Sequence, residues 1–246
     1  MNTINQASLS LNHSRRTAQI PGWLYLFPIT LVVAVLAFNI FQPIKVLPRI
    51  SLAPGFSFTN QAGQRLTSED YRGKVTLYSF TYTHCGLKCE ETASQMQTLR
   101  KRLNQETELD DLSFALVTIS LDPERDTQTA LREYAHRFQS NEDSPVTWDF
   151  VAGDPLRTRY VAGGGFGLYY EKETITADSQ ADYRLKFDPR FVLVDGWGII
   201  RAVYRTDALD IERVMRDIGF IAGEVRHSQG IARIAYEGAH LFQCYP

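Results

Sequence analysis

The stretch that most limits what this chain can fold into runs from Val75 to Leu103. Residues 75–80 form an apolar run with the β-branched and aromatic content of a buried strand. A helical pattern follows from about Glu90 to Leu103, with Ala93, Met96, Leu99 and Leu103 on one face. Between them lies Phe80-Thr-Tyr-Thr-His-Cys85-Gly-Leu-Lys-Cys89-Glu90, so two of the three cysteines stand where a strand gives way to a helix. The free N–H groups and positive dipole end of such a helix favour thiolate. A spacing of four puts both sulfurs on one side of a helical turn, close enough for a disulfide or for one soft metal ion. Two buried structural cysteines are the plainer alternative.

The flanking pattern extends this unit into a sheet. Phe56-Ser-Phe58 and Gln64-Arg-Leu66, joined through Asn60 and Gly63, predict a small hairpin. Thr67 or Ser68 caps a short turn carrying Asp70 and Tyr71, ahead of the main strand. Residues 112–121 predict a second buried strand, and Asp126 or Thr127 caps a helix reaching Phe138, with Ala130, Leu131, Tyr134 and Phe138 as its apolar face. A strand over 147–151 follows, then a helix capped by Asp154 with Pro155 in its first position. Gly163-Gly-Gly165-Phe-Gly167 comes after a helix rather than between a strand and a helix, so it reads as a loop and not as a phosphate cradle. Residues 171–186 read as a polar, irregular excursion, residues 190–194 and 199–204 as a strong hairpin, and residues 207–218 as a closing helix. Strand–helix–strand units with right-handed crossovers give a central sheet covered on both faces. The expectation is an α/β, thioredoxin-like fold with an N-terminal hairpin, its dithiol at the carboxyl end of a sheet strand.

The rest of the 246 residues frames that domain. A formal charge of −2 argues against a nucleic-acid partner, and three cysteines are too few for a disulfide scaffold. Residues 1–19 lack acidic side chains, carry Arg15 and Arg16, and read as a disordered tail. Trp23 to Phe41 is uncharged and long enough for a bilayer core, with Trp23 and Tyr25 suited to the interface, so residues 20–42 are expected to be a single transmembrane anchor. The run is long for a signal peptide and lacks the polar face of a core helix. Arg15 and Arg16 before it are balanced by Lys45 and Arg49 after it, which leaves orientation open on charge alone. Residues 43–55, with Pro43, Pro48 and Pro54, read as a semi-stiff linker; residues 56–222 as the thioredoxin-like domain; and residues 223–246 as a helical C-terminal extension. In that extension Ile231, Ile234, Ala235, Gly238, Ala239 and Phe242 recur at helical spacing, and Cys244 is the odd thiol.

Two segments, Tyr82-Thr-His-Cys85-Gly-Leu-Lys-Cys89 and Ile119-Ser-Leu-Asp-Pro-Glu-Arg-Asp-Thr127, resemble the SCO/SenC family of membrane-anchored, thioredoxin-like copper proteins that help load copper into cytochrome c oxidase. The resemblance covers residues 56–218. It implies a domain on the periplasmic or extracytoplasmic side of the cell membrane and a Cu(I) site built on Cys85 and Cys89. It also implies a partner, a copper-binding subunit of cytochrome c oxidase or of another respiratory complex. In the family a histidine just before the last hairpin completes the copper site; the matching position here is Phe187, and a phenyl ring cannot ligate copper. Proline often follows each cysteine in the family, whereas Gly86 and Glu90 stand here. Among other donors, His84 follows a strand and is read as structural, His136 as a helix-surface residue and Met96 as core, while Asp188 is too hard for Cu(I). Three functions remain: copper handling by the two cysteines, thiol–disulfide exchange on a client, and a non-catalytic accessory subunit of a respiratory complex.

Overall fold

The computed structural model describes residues 21–41, 45–106, 109, 112–139, 144–177, 180–228 and 230–242. The tail expected over 1–19 and Cys244 lie outside them. The chain divides into two units, residues 1–43 and 44–246.

In the first unit a 3-10 turn, Gly22–Tyr25, leads into α1 (Leu26–Phe41). Pro28 falls in the first turn, where its missing N–H costs least. The side chains of Trp23, Tyr25, Phe27, Ile29, Val33 and Leu36 are all exposed. Among the described residues no helix is long and apolar enough to cross a membrane.

The second unit begins with β1 (Ser51–Leu52), β2 (Ser57–Asn60) and β3 (Arg65–Thr67). The expected N-terminal hairpin is β2–β3, and Thr67 opens the turn after it, donating from its amide and hydroxyl to Asp70 at 2.7 and 2.8 Å. Then come β4 (Lys74–Thr81), α2 (Leu87–Gln105), β5 (Ser113–Ser120), α3 (Gln128–Phe138), β6 (Thr147–Ala152) and α4 (Pro155–Arg159). The chain closes with β7 (Tyr170–Ala177), β8 (Gln180–Phe187), β9 (Phe191–Val194), β10 (Ile199–Tyr204), α5 (Ile211–Arg226) and α6 (Gly230–Phe242). The main sheet has the order β1-β10-β9-β4-β5-β6-β2-β3, with β4, β5 and β6 parallel.

Strand alternation divides the core. Val75 and Leu77 of β4 and Phe114 and Leu116 of β5 face Met96 and Leu99 of α2, Tyr134 of α3 and Val214 and Ile218 of α5. Tyr78, Phe80, Val117 and Ile119 face the other way, against Val161, Ala162 and Phe166. Each face of the sheet is therefore covered, as expected for the thioredoxin-like arrangement.

Four local readings are corrected. Residues 171–186 are not irregular: β7 and β8 pair in full register as a separate two-stranded sheet. Charged cross-strand pairs, such as Arg184 Nε to Glu173 at 2.7 Å, mask the strand signal on one face, while Tyr183, Leu185 and Phe187 alternate on the other and pack on the core. Residues 163–165 are not a loop but the end of a π-helical turn, Tyr160–Gly165, where a Cβ on Gly165 would lie 2.3 Å from the ring of Pro54. The closing helix starts at Ile211 and not Asp207, because Asp210 accepts from the Arg213 amide at 3.0 Å, and it runs on to Arg226. The segment read as a linker is stitched to the domain from Val46 onward: Val46 and Leu47 are buried, and β1 pairs with β10.

A buried ion-pair cluster holds these ends. The Arg201 guanidinium, 2% exposed, donates to Asp195 at 2.9 Å, to Glu224 at 2.6 Å and to the Leu47 carbonyl at 2.9 Å. Glu224 also meets Arg49 at 2.7 Å and His240 of α6 at 3.0 Å. Burial works against the Glu224 charge, but the hydrogen bonds from Arg201 and Arg49 prevail and hold its pKa down at about 2. With Ala239 fully buried, α6 docks on its own domain.

Candidate functional site

The dithiol sits at the carboxyl end of β4. After Thr81 the chain turns, the Cys85 amide donating to the Tyr82 carbonyl at 3.1 Å. Gly86 then takes φ +76°, a left-handed conformation that favours glycine, and α2 begins at Leu87. Cys89 is thus in the first turn of the helix and Cys85 just outside it, rather than both preceding it. The two are joined as a disulfide with Cα atoms 5.7 Å apart. Their exposures differ: Cys85 is half-buried, while Cys89 is 3% exposed and packed beneath the loop.

The second motif holds this loop in place. Asp126, buried, accepts from the Thr83 amide at 3.1 Å, the Thr83 hydroxyl at 2.6 Å and the Ser120 hydroxyl at 2.6 Å. Burial raises its pKa, against the opposing pull of those hydrogen bonds. Helix capping falls to Thr127, whose hydroxyl accepts from the Ala130 amide at 3.3 Å. Asp122 accepts from Arg125 Nε at 2.5 Å and from the Tyr183 hydroxyl of β8 at 2.7 Å, and the Arg125 guanidinium lies 3.7 Å from the Tyr183 ring centroid. On the other side, the Tyr134 hydroxyl of α3 donates to the Cys89 carbonyl at 3.0 Å.

Phe187 ends β8. Its ring stands edge-on to Tyr82 with centroids 6.3 Å apart, and the Tyr82 hydroxyl accepts from the Leu185 amide at 3.2 Å. Cys85, Tyr183 and Phe187 pack against the same apolar cluster as Cys89. The other donors stay apart. His84 is exposed in the turn, its Nδ1 3.0 Å from the Thr83 hydroxyl; His136 and Asp188 are exposed, and Met96 is core. Among the described residues no three His, Cys, Asp or Glu side chains are grouped to hold a metal ion. Among the described residues, the two sulfurs are the soft donors gathered here. Asp126, Asp122, Arg125, Tyr183 and Tyr82 are contributors that sequence reasoning missed as such, although most lie within the two recognised segments.

The SCO1/SenC family model matches residues 47–222. The chain belongs to the SCO1/SenC family. Among curated SCO relatives, the SCO1 protein homolog of Bacillus subtilis strain 168 is 31% identical over 98 residues, 40% of this chain and 47% of that protein. The human mitochondrial SCO1 homolog is 39% identical over 83 residues, 34% of this chain and 27% of that one. Each match therefore spans less than half of the relative's length. Of solved Sco structures, Arabidopsis thaliana ScoI with copper bound superposes with a TM-score of 0.57 at 24% identity, covering 72% of this chain and 99% of the other. BsSco, described with a disulfide switch and as one of the Sco cytochrome c oxidase assembly proteins, does so with a TM-score of 0.55 at 22% identity, covering 72% and 98%. These likenesses establish the shared thioredoxin-like Sco fold.

Proposed function

We propose that this protein is a membrane-anchored SCO-type factor in cytochrome c oxidase assembly, and that Cys85 and Cys89 act as a redox dithiol on a copper-binding subunit of the oxidase. The observation that carries this reading is the pair itself: two cysteines at a helix start, close enough to close on each other, unequally exposed, with Phe187 where the family resemblance implies an imidazole. In the reduced protein the more accessible Cys85 thiolate attacks a client disulfide. One client sulfur leaves and takes up a proton, and a Cys85–client disulfide forms. Cys89 then attacks Cys85 Sγ, so the client leaves as a dithiol and the Cys85–Cys89 disulfide closes. Two electrons and two protons pass to the client, and a dithiol donor restores the reduced pair. Asp126 and Tyr134 take no part in bond making; they position the loop and the first helical turn.

The anchor reading draws support from unit 1. At ~1.5 Å per residue α1 is about 24 Å long, and the preceding 3-10 turn adds about 8 Å, together near the ~30 Å of a bilayer core. The side chains from Leu26 to Leu36 are all exposed. The domain is then expected on the extracytoplasmic side, where disulfide chemistry is sustained.

A second reading treats copper as cargo. Two thiolates are donors that soft Cu(I) accepts, and copper-bound Sco structures share this fold. One experiment separates the two. Reduced protein is offered an oxidised two-cysteine peptide from the oxidase copper subunit, and separately Cu(I) in competition with a chelator. Exchange is expected, with Cys89→Ser trapping a mixed disulfide and Cys85→Ser trapping none, and with copper left to the chelator. Stoichiometric copper retention, lost in both serine variants and without exchange, would instead favour the cargo reading.

A further inference from the structure

Away from the dithiol, three large apolar side chains are exposed together at one corner of the domain. Ile50 is 53% exposed, Leu52 70% and Trp197 77%. Ile50 and Leu52 lie two apart on the edge segment, so they share a side. Leu52 is registered opposite Ile199, and the Ala53 amide donates to the Gly198 carbonyl at 2.8 Å, which brings the Trp197 turn alongside. That turn is held firmly. Asp195 accepts from the Trp197 amide at 3.0 Å while paired with buried Arg201, and the Trp197 carbonyl accepts from the Arg72 guanidinium. The indole is thus presented outward on a fixed backbone.

We propose that Ile50, Leu52 and Trp197 form a seat for a lipid bilayer surface. The inference rests on the anchor reading given above. Two observations choose lipid over protein as the occupant. Ile50 follows the end of the apolar helix at Phe41 by nine residues, a tether of at most about 31 Å that keeps the lipid surface at high effective concentration. The side chains also suit the interface: an indole whose apolar body is wetted at one end and two aliphatic groups, with the Arg72–Glu69 ion pair beside the turn. The geometry adds a functional consequence. Because β9 runs antiparallel to β4, with Val194 opposite Thr76, the turn after β9 lies at the Lys74 end of β4. The dithiol follows the Thr81 end, about 26 Å away along the strand. A domain seated on this corner presents its cysteines away from the lipid.

The test uses the full chain reconstituted in phosphatidylcholine vesicles, with brominated phosphatidylcholine as the quencher of tryptophan emission. The chain has three tryptophans, of which Trp148 is buried with its Nε1 donating to Thr118 at 3.0 Å. In Trp23→Phe protein, bromolipid is expected to quench a blue-shifted Trp197 component. That quenching is expected to vanish with Trp197→Phe added and to weaken with Ile50→Ser and Leu52→Ser added. If the Trp23→Phe protein is unquenched while the parent chain is quenched through Trp23, the anchor stands and the seat is overturned, leaving the corner to a protein partner. If neither is quenched, the anchor reading fails and the seat falls with it.

Discussion

Two single side chains bear most on the proposed site: Phe187, where the family resemblance implies a donor, and the buried carboxylate of Asp126. Phe187 packs edge-on to Tyr82, and on the family resemblance Phe187→His brings an imidazole to the place a third donor needs. It is expected to tighten Cu(I) binding by about tenfold or more in chelator competition, each tenfold being ~1.4 kcal/mol; unchanged affinity would mean that position 187 does not reach the sulfurs. Asp126→Ala strips the Thr83 amide and the Ser120 hydroxyl of a buried acceptor. It is expected to cost about 2–3 kcal/mol in urea unfolding and to slow exchange even where the variant is fully folded. The cysteine pair and the cap at Thr127 were legible in the sequence. The role of Asp126 was not, because its contact with Thr83 spans 43 positions and leaves no local pattern.

Elements marked by an apolar stripe or by a cap such as Thr127 or Asp154 were legible, and the charge-laced β7–β8 hairpin was not. β4, β5 and α3 announce themselves through buried side chains at the right period. The β7–β8 hairpin adds cross-strand ion pairs and the Asp122–Tyr183 hydrogen bond to the packing of Leu185 and Phe187. Tyr183→Phe is therefore expected to speed hydrogen exchange of the β8 amides and leave those of β4 protected. The first turn of α2 was missed because Leu87 is exposed and breaks the stripe. Between α5 and α6, Glu224 sets a pH dependence. Its folded pKa lies below its ordinary 4.5. The stability it contributes is thus fully present above pH 4.5 and is lost as pH falls from there towards about 2, amounting to roughly 2 kcal/mol with screening allowed for. Glu224→Gln is expected to lower the urea midpoint at pH 7 and to flatten its dependence on acid over that window.

For the whole molecule, the domain begins earlier than the hairpin suggests. Val46 and Leu47 are buried, and the Leu47 and Pro48 carbonyls accept from Arg201. A chain started at Ser51, with these removed, is expected to lose about 5 kcal/mol relative to one started at Lys45, from two buried aliphatic side chains and a buried guanidinium short of acceptors. Equal urea midpoints for the two would refute this. The same view puts the stretch from Ile119 to Thr127 in a different light. Asp122, Arg125, Asp126 and Thr127 are each engaged with the cysteine loop, the β8 hairpin or a helix start, and Ser120 backs Asp126. The signature by which such a chain is recognised is thus written largely in scaffolding, and scaffolding is indifferent to what stands at position 187. Kinship of this kind certifies a mounting for two sulfurs; what is mounted there has to be read separately, one side chain at a time.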